Sequence, residues 1–175
     1  MLKRALLLGY GNPDREDDGV AWHILRALIA KLGLPTPDSY EDEFPQVLQI
    51  DFAFYLQLTP EMAEEIADYE YVCFLDAHTG SIPEEVRLID VESDFQRSPF
   101  THHLTPQSLI SICETIYERK PEAALLSVRG YHFLFSRELS EATTVLVPEA
   151  VELIWEWLNT RNILEKSTKQ TLPAF

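Results

Sequence analysis

A chain of 175 residues with 46% apolar and 11% aromatic content is the usual size of one compact domain and buries roughly two-thirds of the surface it would expose unfolded. Fourteen Lys and Arg against twenty-nine Asp and Glu leave a net charge of −15, which repels phosphate backbones and anionic headgroups and disfavours nucleic acid or a membrane surface as partner. The first apolar run is too short for a signal-peptide core, and no segment approaches bilayer-spanning length, so the expected location is the cytoplasm.

Ala5–Tyr10 is an apolar run that meets Gly9 and Gly11, the pattern of a buried strand ending in a tight loop. Val20, Ile24, Leu28 and Leu32, beside Ala21 and Leu25, form one helical stripe that stops at Gly33. A proline-marked acidic loop, Pro35–Pro45, leads to a second strand over Val47–Phe52 and a helix from Pro60 to about Asp68. Tyr71–Leu75 has the composition of a central strand, with Asp76 at its carboxyl end. Val86–Val91 alternates like a half-exposed strand, Pro106–Tyr117 predicts a helix capped by Thr105, and Ala124–Val128 another buried strand. Pro148–Trp157 predicts the last helix. Strands alternating with helices imply an α/β fold, a mainly parallel sheet covered on both faces, with functional groups collected at the carboxyl ends of the strands. The domain is expected to span 1–160, and 161–175 to form a fraying tail.

The segment from Gly9 to Leu25 carries the densest chemistry: two glycines turn the chain out of a strand, and Glu16, Asp17 and Asp18 open a helix. Phosphate binding fails here, because GxGxxG would need glycine where Asp14 stands and a P-loop would need an absent lysine. Capping explains one or two of the three acids. The third fits a cation site, since coordination would relieve their mutual repulsion. Asp76 is either a ligand at a strand end or a turn residue bonding its own backbone. His102 and His103 stand together in a polar loop, either solvated or metal-binding. His23 and His132 are expected to pack. Two carboxylates and an imidazole from three loops on one sheet edge would suit a divalent first-row metal. No GxSxG elbow or HExxH is present. Cys73 and Cys113 lack CxxC spacing and are expected as buried thiols.

In Gly9, Gly11, Asn12, the acid pair Asp17–Asp18 with Gly19, the Asp76–Ala77 dipeptide and the Thr101–His102–Leu104 setting, the chain resembles the nickel-iron hydrogenase maturation endopeptidases over nearly its whole length. The resemblance implies a three-layer α/β/α sandwich with a mainly parallel, mixed sheet. It also implies that Asp18, Asp76 and His102 are the catalytic and metal-contacting residues, with His103 the runner-up to His102.

The activity so implied is that of a metal-dependent, aspartic-type endopeptidase. It would remove the carboxyl-terminal extension of a hydrogenase large-subunit precursor once nickel has been inserted. The metal would be nickel, in solution or in the precursor, with cadmium or zinc as surrogate, and the partner would be that precursor. Two other functions share these contacts: a checkpoint or chaperone that binds the metallated precursor without cutting it, and a small metal-dependent hydrolase.

Overall fold

The computed structural model describes residues 3–47, 49–94 and 104–168. Five strands form one sheet: β1 (Lys3–Tyr10), β2 (Ile50–Tyr55), β3 (Tyr69–His78), β4 (Val86–Val91) and β5 (Glu122–Arg129), in the order β2-β1-β3-β5-β4. All neighbours are parallel except β4, which pairs antiparallel with β5 at the edge.

Period-two alternation along the strands builds a core on each face. Leu7, Phe52, Phe54, Cys73, Leu75, Leu126 and Val128 face one way, onto α1 (Val20–Lys31), α5 (Val147–Thr160) and α6 (Ile163–Thr168). Leu6, Leu8, Ala53, Val72 and Phe74 face the other, onto α2 (Met62–Ile66) and α3 (Pro106–Tyr117). A short α4 (Glu141–Thr144) precedes α5. The result is the three-layer α/β/α arrangement that the resemblance implied, with the sheet covered on both faces as the alternation of elements implied.

Local signals explain where the elements stop. The α1 stripe is fully buried at Val20, Ala21, Ile24, Leu25, Leu28 and Ile29, with each large apolar side chain contributing about 1.5–3 kcal/mol. The helix ends where Gly33 takes φ +75° and the Leu34 N–H reaches back 3.1 Å to the Ile29 carbonyl. At α3 the Thr105 hydroxyl accepts from the Ser108 N–H at 3.2 Å, with Pro106 opening the first turn.

Several boundaries differ from expectation: β3 runs on through Asp76 to His78, β5 and α5 are longer at both ends, and three further differences have a clear physical cause. The second strand begins at Ile50, not Val47, because the Ile50 N–H bonds the Val47 carbonyl in a turn and pairing with β1 starts at Ala5–Ile50. The helix expected over 60–68 is one short turn-and-a-half, Met62–Ile66. Residues 161–168 of the expected tail are structured instead: Ile163 and Leu164 are buried against the α1/α5 layer, and that contact holds α6 in place. Residues 169–175 of the expected tail lie outside the described residues. Among the described residues, no helix is long and apolar enough to cross a membrane.

Candidate active site

The four parallel strands end on one side of the sheet, at Tyr10, Tyr55, His78 and Arg129. Chain order reverses between β1 and β3, where the connection from β1 leads outward to β2 and the sheet then continues through β3 in the opposite direction. Such a switch point opens a crevice beyond the strand ends. Here it is a cleft of about 810 Å³, lined by Tyr10, Gly11, Asp18 and Asp76. The β2–α2 loop from Leu56 to Pro60 and the start of α3 from Leu104 to Gln107 complete its walls.

Asp18 reaches the cleft through a tight turn. Gly11 has φ +137°, and a Cβ there would stand 2.1 Å from the Asp18 carbonyl oxygen, so only glycine lets the two backbones pass. The Asn12 N–H then donates to Asp18 Oδ2 at 2.9 Å. The acids themselves form a 3-10 turn, Glu16–Gly19, which sends consecutive side chains in different directions.

Asp17 goes inward. It is fully buried, and its carboxylate accepts from the N–H groups of Tyr131 (2.8 Å), His132 (2.9 Å) and Ser140 (2.8 Å) and from the Ser140 hydroxyl (2.7 Å). Burial works against the charge, but the Ser140 hydroxyl and the three amides outweigh it and hold the carboxyl below its ordinary range. Three further backbone bonds, Glu16 N–H to Ser136, Ser136 N–H to Asp14 and Asp17 N–H to His132, tie the same loop to this turn. The contiguous acids therefore divide their roles: Asp17 clamps a loop, and Asp18 faces the cleft.

Asp76 lies in β3, largely sheltered, with Oδ1 accepting from the Ala77 N–H at 2.7 Å. It bonds the amide of the next residue, as the second reading expected, but from inside β3 and not from a turn, and it lines the cleft. Burial pushes its carboxyl up to about 7, the Asp18 charge adds to the rise, and hydrogen bonds from Tyr10 and Ala77 oppose it. Tyr10 comes from the register: Gly9 pairs with Leu75, so Tyr10 and Asp76 follow side by side on the α2/α3 face.

His102 and His103 lie outside the described residues; Leu104 and Thr105, next in the chain, line the cleft. Among the described residues no three His, Cys, Asp or Glu side chains are grouped to hold a metal. His78, two positions after Asp76, accepts the Gly80 N–H at Nδ1 (3.1 Å) and braces a turn. His23 is partly buried as expected, whereas His132 is exposed: its backbone, not its ring, serves the Asp17 clamp. Cys73 and Cys113 are free and buried, and burial pushes their thiols up to about 12 and 11, so neither is a nucleophile at neutral pH.

Sequence reasoning missed two residues here. Ser140 carried no signal, since it sits more than a hundred residues from its partner. Tyr10 carried one: the residue between two glycines at a strand end must flank whatever the neighbouring strand presents.

The fold is that of the hydrogenase maturation endopeptidases. Among solved structures, the chain is similar to the hydrogenase maturating endopeptidase HybD from E. coli, with 15% identity, a TM-score of 0.66, and 90% of this chain and 93% of that one covered. It is likewise similar to the [NiFe] hydrogenase maturation protease HycI from Thermococcus kodakarensis KOD1 (20% identity, TM-score 0.63, 90% and 93% covered). An uncharacterized protein from Wolinella succinogenes matches at 26% identity, with a TM-score of 0.55 and 91% and 99% covered. No protein-family model matches the chain, and no curated protein matches it.

Proposed function

We propose that this protein is an endopeptidase that removes the carboxyl-terminal extension of a [NiFe]-hydrogenase large-subunit precursor after nickel insertion. The observation that carries the reading is that Asp18, from the β1–α1 connection, and Asp76, from β3, line one cleft at the switch point of a fold shared with maturation endopeptidases.

The donor set fits a divalent cation. Among the described residues lining the cleft there is no Lys or Arg to balance Asp18 and Asp76, burial pushes the Asp76 carboxyl up to about 7, and a cation would balance the pair. Asp18 and Asp76 would supply oxygen, and His102, or failing it His103, nitrogen. In this reading the nickel belongs to the precursor and is part of the substrate, with cadmium or zinc able to stand in. A metal so placed polarises the scissile carbonyl or lowers the pKa of the attacking water.

The chain's own residues bind and orient. The wide cleft wall formed by Leu56–Pro60 and Leu104–Gln107 accepts an extended segment of the precursor. Asp18, fixed by the Asn12 amide, and Asp76, held by the Ala77 amide, approach the metallated end of that segment. Asp76 can take a proton from water as its oxygen attacks the carbonyl carbon and return it to the amine as the C–N bond breaks. With neither thiol ionised, water is the natural nucleophile. The cytoplasm, where a precursor would be processed, is the proposed location.

The test is mass spectrometry of nickel-loaded and nickel-free precursor incubated with the protein. Release of one carboxyl-terminal peptide from the loaded form alone is the expected result. Binding without any mass loss would favour a checkpoint role, and turnover of small esters in its place would favour a general hydrolase.

A further inference from the structure

The turn that presents Asp18 to the cleft is strained. Glu16 sits in the left-handed region at φ +46°, a conformation that residues with a side chain keep only where their surroundings impose it. The imposing partner is the segment that follows β5. The Glu16 N–H donates to the Ser136 carbonyl at 2.8 Å and the Asp17 N–H to the His132 carbonyl at 3.1 Å. The buried Asp17 carboxylate collects its donors from the same segment, and of these only the Ser140 hydroxyl, 2.7 Å from Oδ2, belongs to a side chain.

We propose that Ser140 is a positioning residue of the cleft: through Asp17 it holds the strained turn in the shape that keeps the Asp18 carboxylate on the Asn12 N–H. Its consequence for metal binding rests on the reading of Asp18 as a metal-contacting residue. Asp17 and Asp18 are consecutive, so the backbone that carries one carboxylate inward also sets where the other points. A turn that relaxed at Glu16 would rotate both. Little slack is available, because the Gly11 backbone passes so close that a Cβ there would stand 2.1 Å from the Asp18 carbonyl oxygen. The donor itself is fixed: the Ser140 hydroxyl gives its one hydrogen to Asp17 and accepts the Thr143 N–H at 3.3 Å, and the Ser140 carbonyl accepts the Thr144 hydroxyl at 2.8 Å. Groups that orient a metal-contacting residue in this way typically contribute about 10- to 100-fold to metal affinity.

Ser140→Ala removes the donor, and Ser140→Thr keeps it. Because truncation also removes the cap of α4, the measurement is made at the far side of the turn, on the 2.9 Å bond from the Asn12 N–H to Asp18 Oδ2. In the metal-free protein, the NMR scalar coupling across that bond should fall at least about twofold in Ser140→Ala, a change in population within reach of one lost hydrogen bond, and return in Ser140→Thr. Nickel(II) affinity by calorimetry should fall at least ~10-fold and recover in the same order. Glu16→Gly, which accepts φ +46° without strain, should restore the coupling in the Ser140→Ala background, or the fold if the single variant loses it. An unchanged coupling in Ser140→Ala, with only the melting temperature lowered, would overturn the proposal and leave Ser140 a cap of α4. So would a failure of Glu16→Gly to restore either coupling or fold. A coupling that falls in Ser140→Ala when even the wild type binds no nickel would keep the positioning role and remove the metal-contacting reading of Asp18.

Discussion

Asp17 and Ser140, 123 residues apart, are joined twice: the Ser140 amide donates to Asp17 Oδ1 at 2.8 Å and its hydroxyl to Oδ2 at 2.7 Å. With the Tyr131 and His132 amides on Oδ2, this makes Asp17 the buried anchor of the 131–140 loop, while the very next residue serves the cleft.

Substituting the two acids should therefore have opposite consequences. Asp17→Ala strands four donors in a buried place and should cost about 3 kcal/mol in urea denaturation. Asp18→Ala should stay within about 1 kcal/mol of wild type. Equal losses would show that the division of roles is wrong.

The same contact predicts an acid slope. The folded Asp17 carboxyl lies below its ordinary value, so its contribution is present above the unfolded pKa of about 3.9 and is lost as pH falls through the folded value. Asp17→Asn should flatten that part of the stability profile between about pH 5 and pH 2. A mutant profile parallel to wild type would assign the slope to other carboxylates.

Metal binding should follow Asp76. Its carboxyl, pushed up to about 7 by burial with the Asp18 charge adding to the rise, must lose its proton to coordinate. Nickel affinity should hold steady above pH 8 and fall by at least about tenfold per pH unit below pH 6, more steeply where the imidazole donor must also shed a proton. Asp18→Ala and Asp76→Ala should each abolish binding, and His102→Ala should weaken it more than His103→Ala. Calorimetry at three pH values checks the slope; the reverse ranking of the histidines would move the nitrogen donor by one residue.

Gly11→Ala should damage site and fold together, since the new Cβ would sit 2.1 Å from the Asp18 carbonyl oxygen at φ +137°. A loss of about 2–4 kcal/mol is expected, with nickel binding reduced in whatever fraction folds. A stable variant with full binding would mean that the turn has a second conformation suited to alanine.

Much of this architecture is legible one residue at a time. The limits of α3, with Thr105 as cap and Pro106 at its first position, and the full extent of β4 follow from local signals that operate within a few residues. The α1 stripe and its glycine stop do as well. Two acids were legible as candidates: Asp18 because it belongs to a run of three acids beside a tight glycine turn, and Asp76 because it directly follows the apolar run Tyr71–Leu75. Periodicity could not place the start of β2, since Val47 and Ile50 both suit a strand and only pairing with β1 chooses between them. Nor could it reveal that Ile163 and Leu164 pack, because the surface they cover is assembled by α1 and α5.

What tertiary structure alone decided is which acid does what. Three consecutive carboxylates look alike in a sequence; the 3-10 turn separates them, and a loop more than a hundred residues later supplies the donors that draw Asp17 inward. Strand register likewise set Tyr10 beside Asp76, a contact between residues 66 positions apart by number. Local sequence specifies which backbone shapes are affordable at each position. Long-range hydrogen bonds and burial then choose among chemically equivalent side chains, because their energies depend on neighbours that only the closed fold brings near.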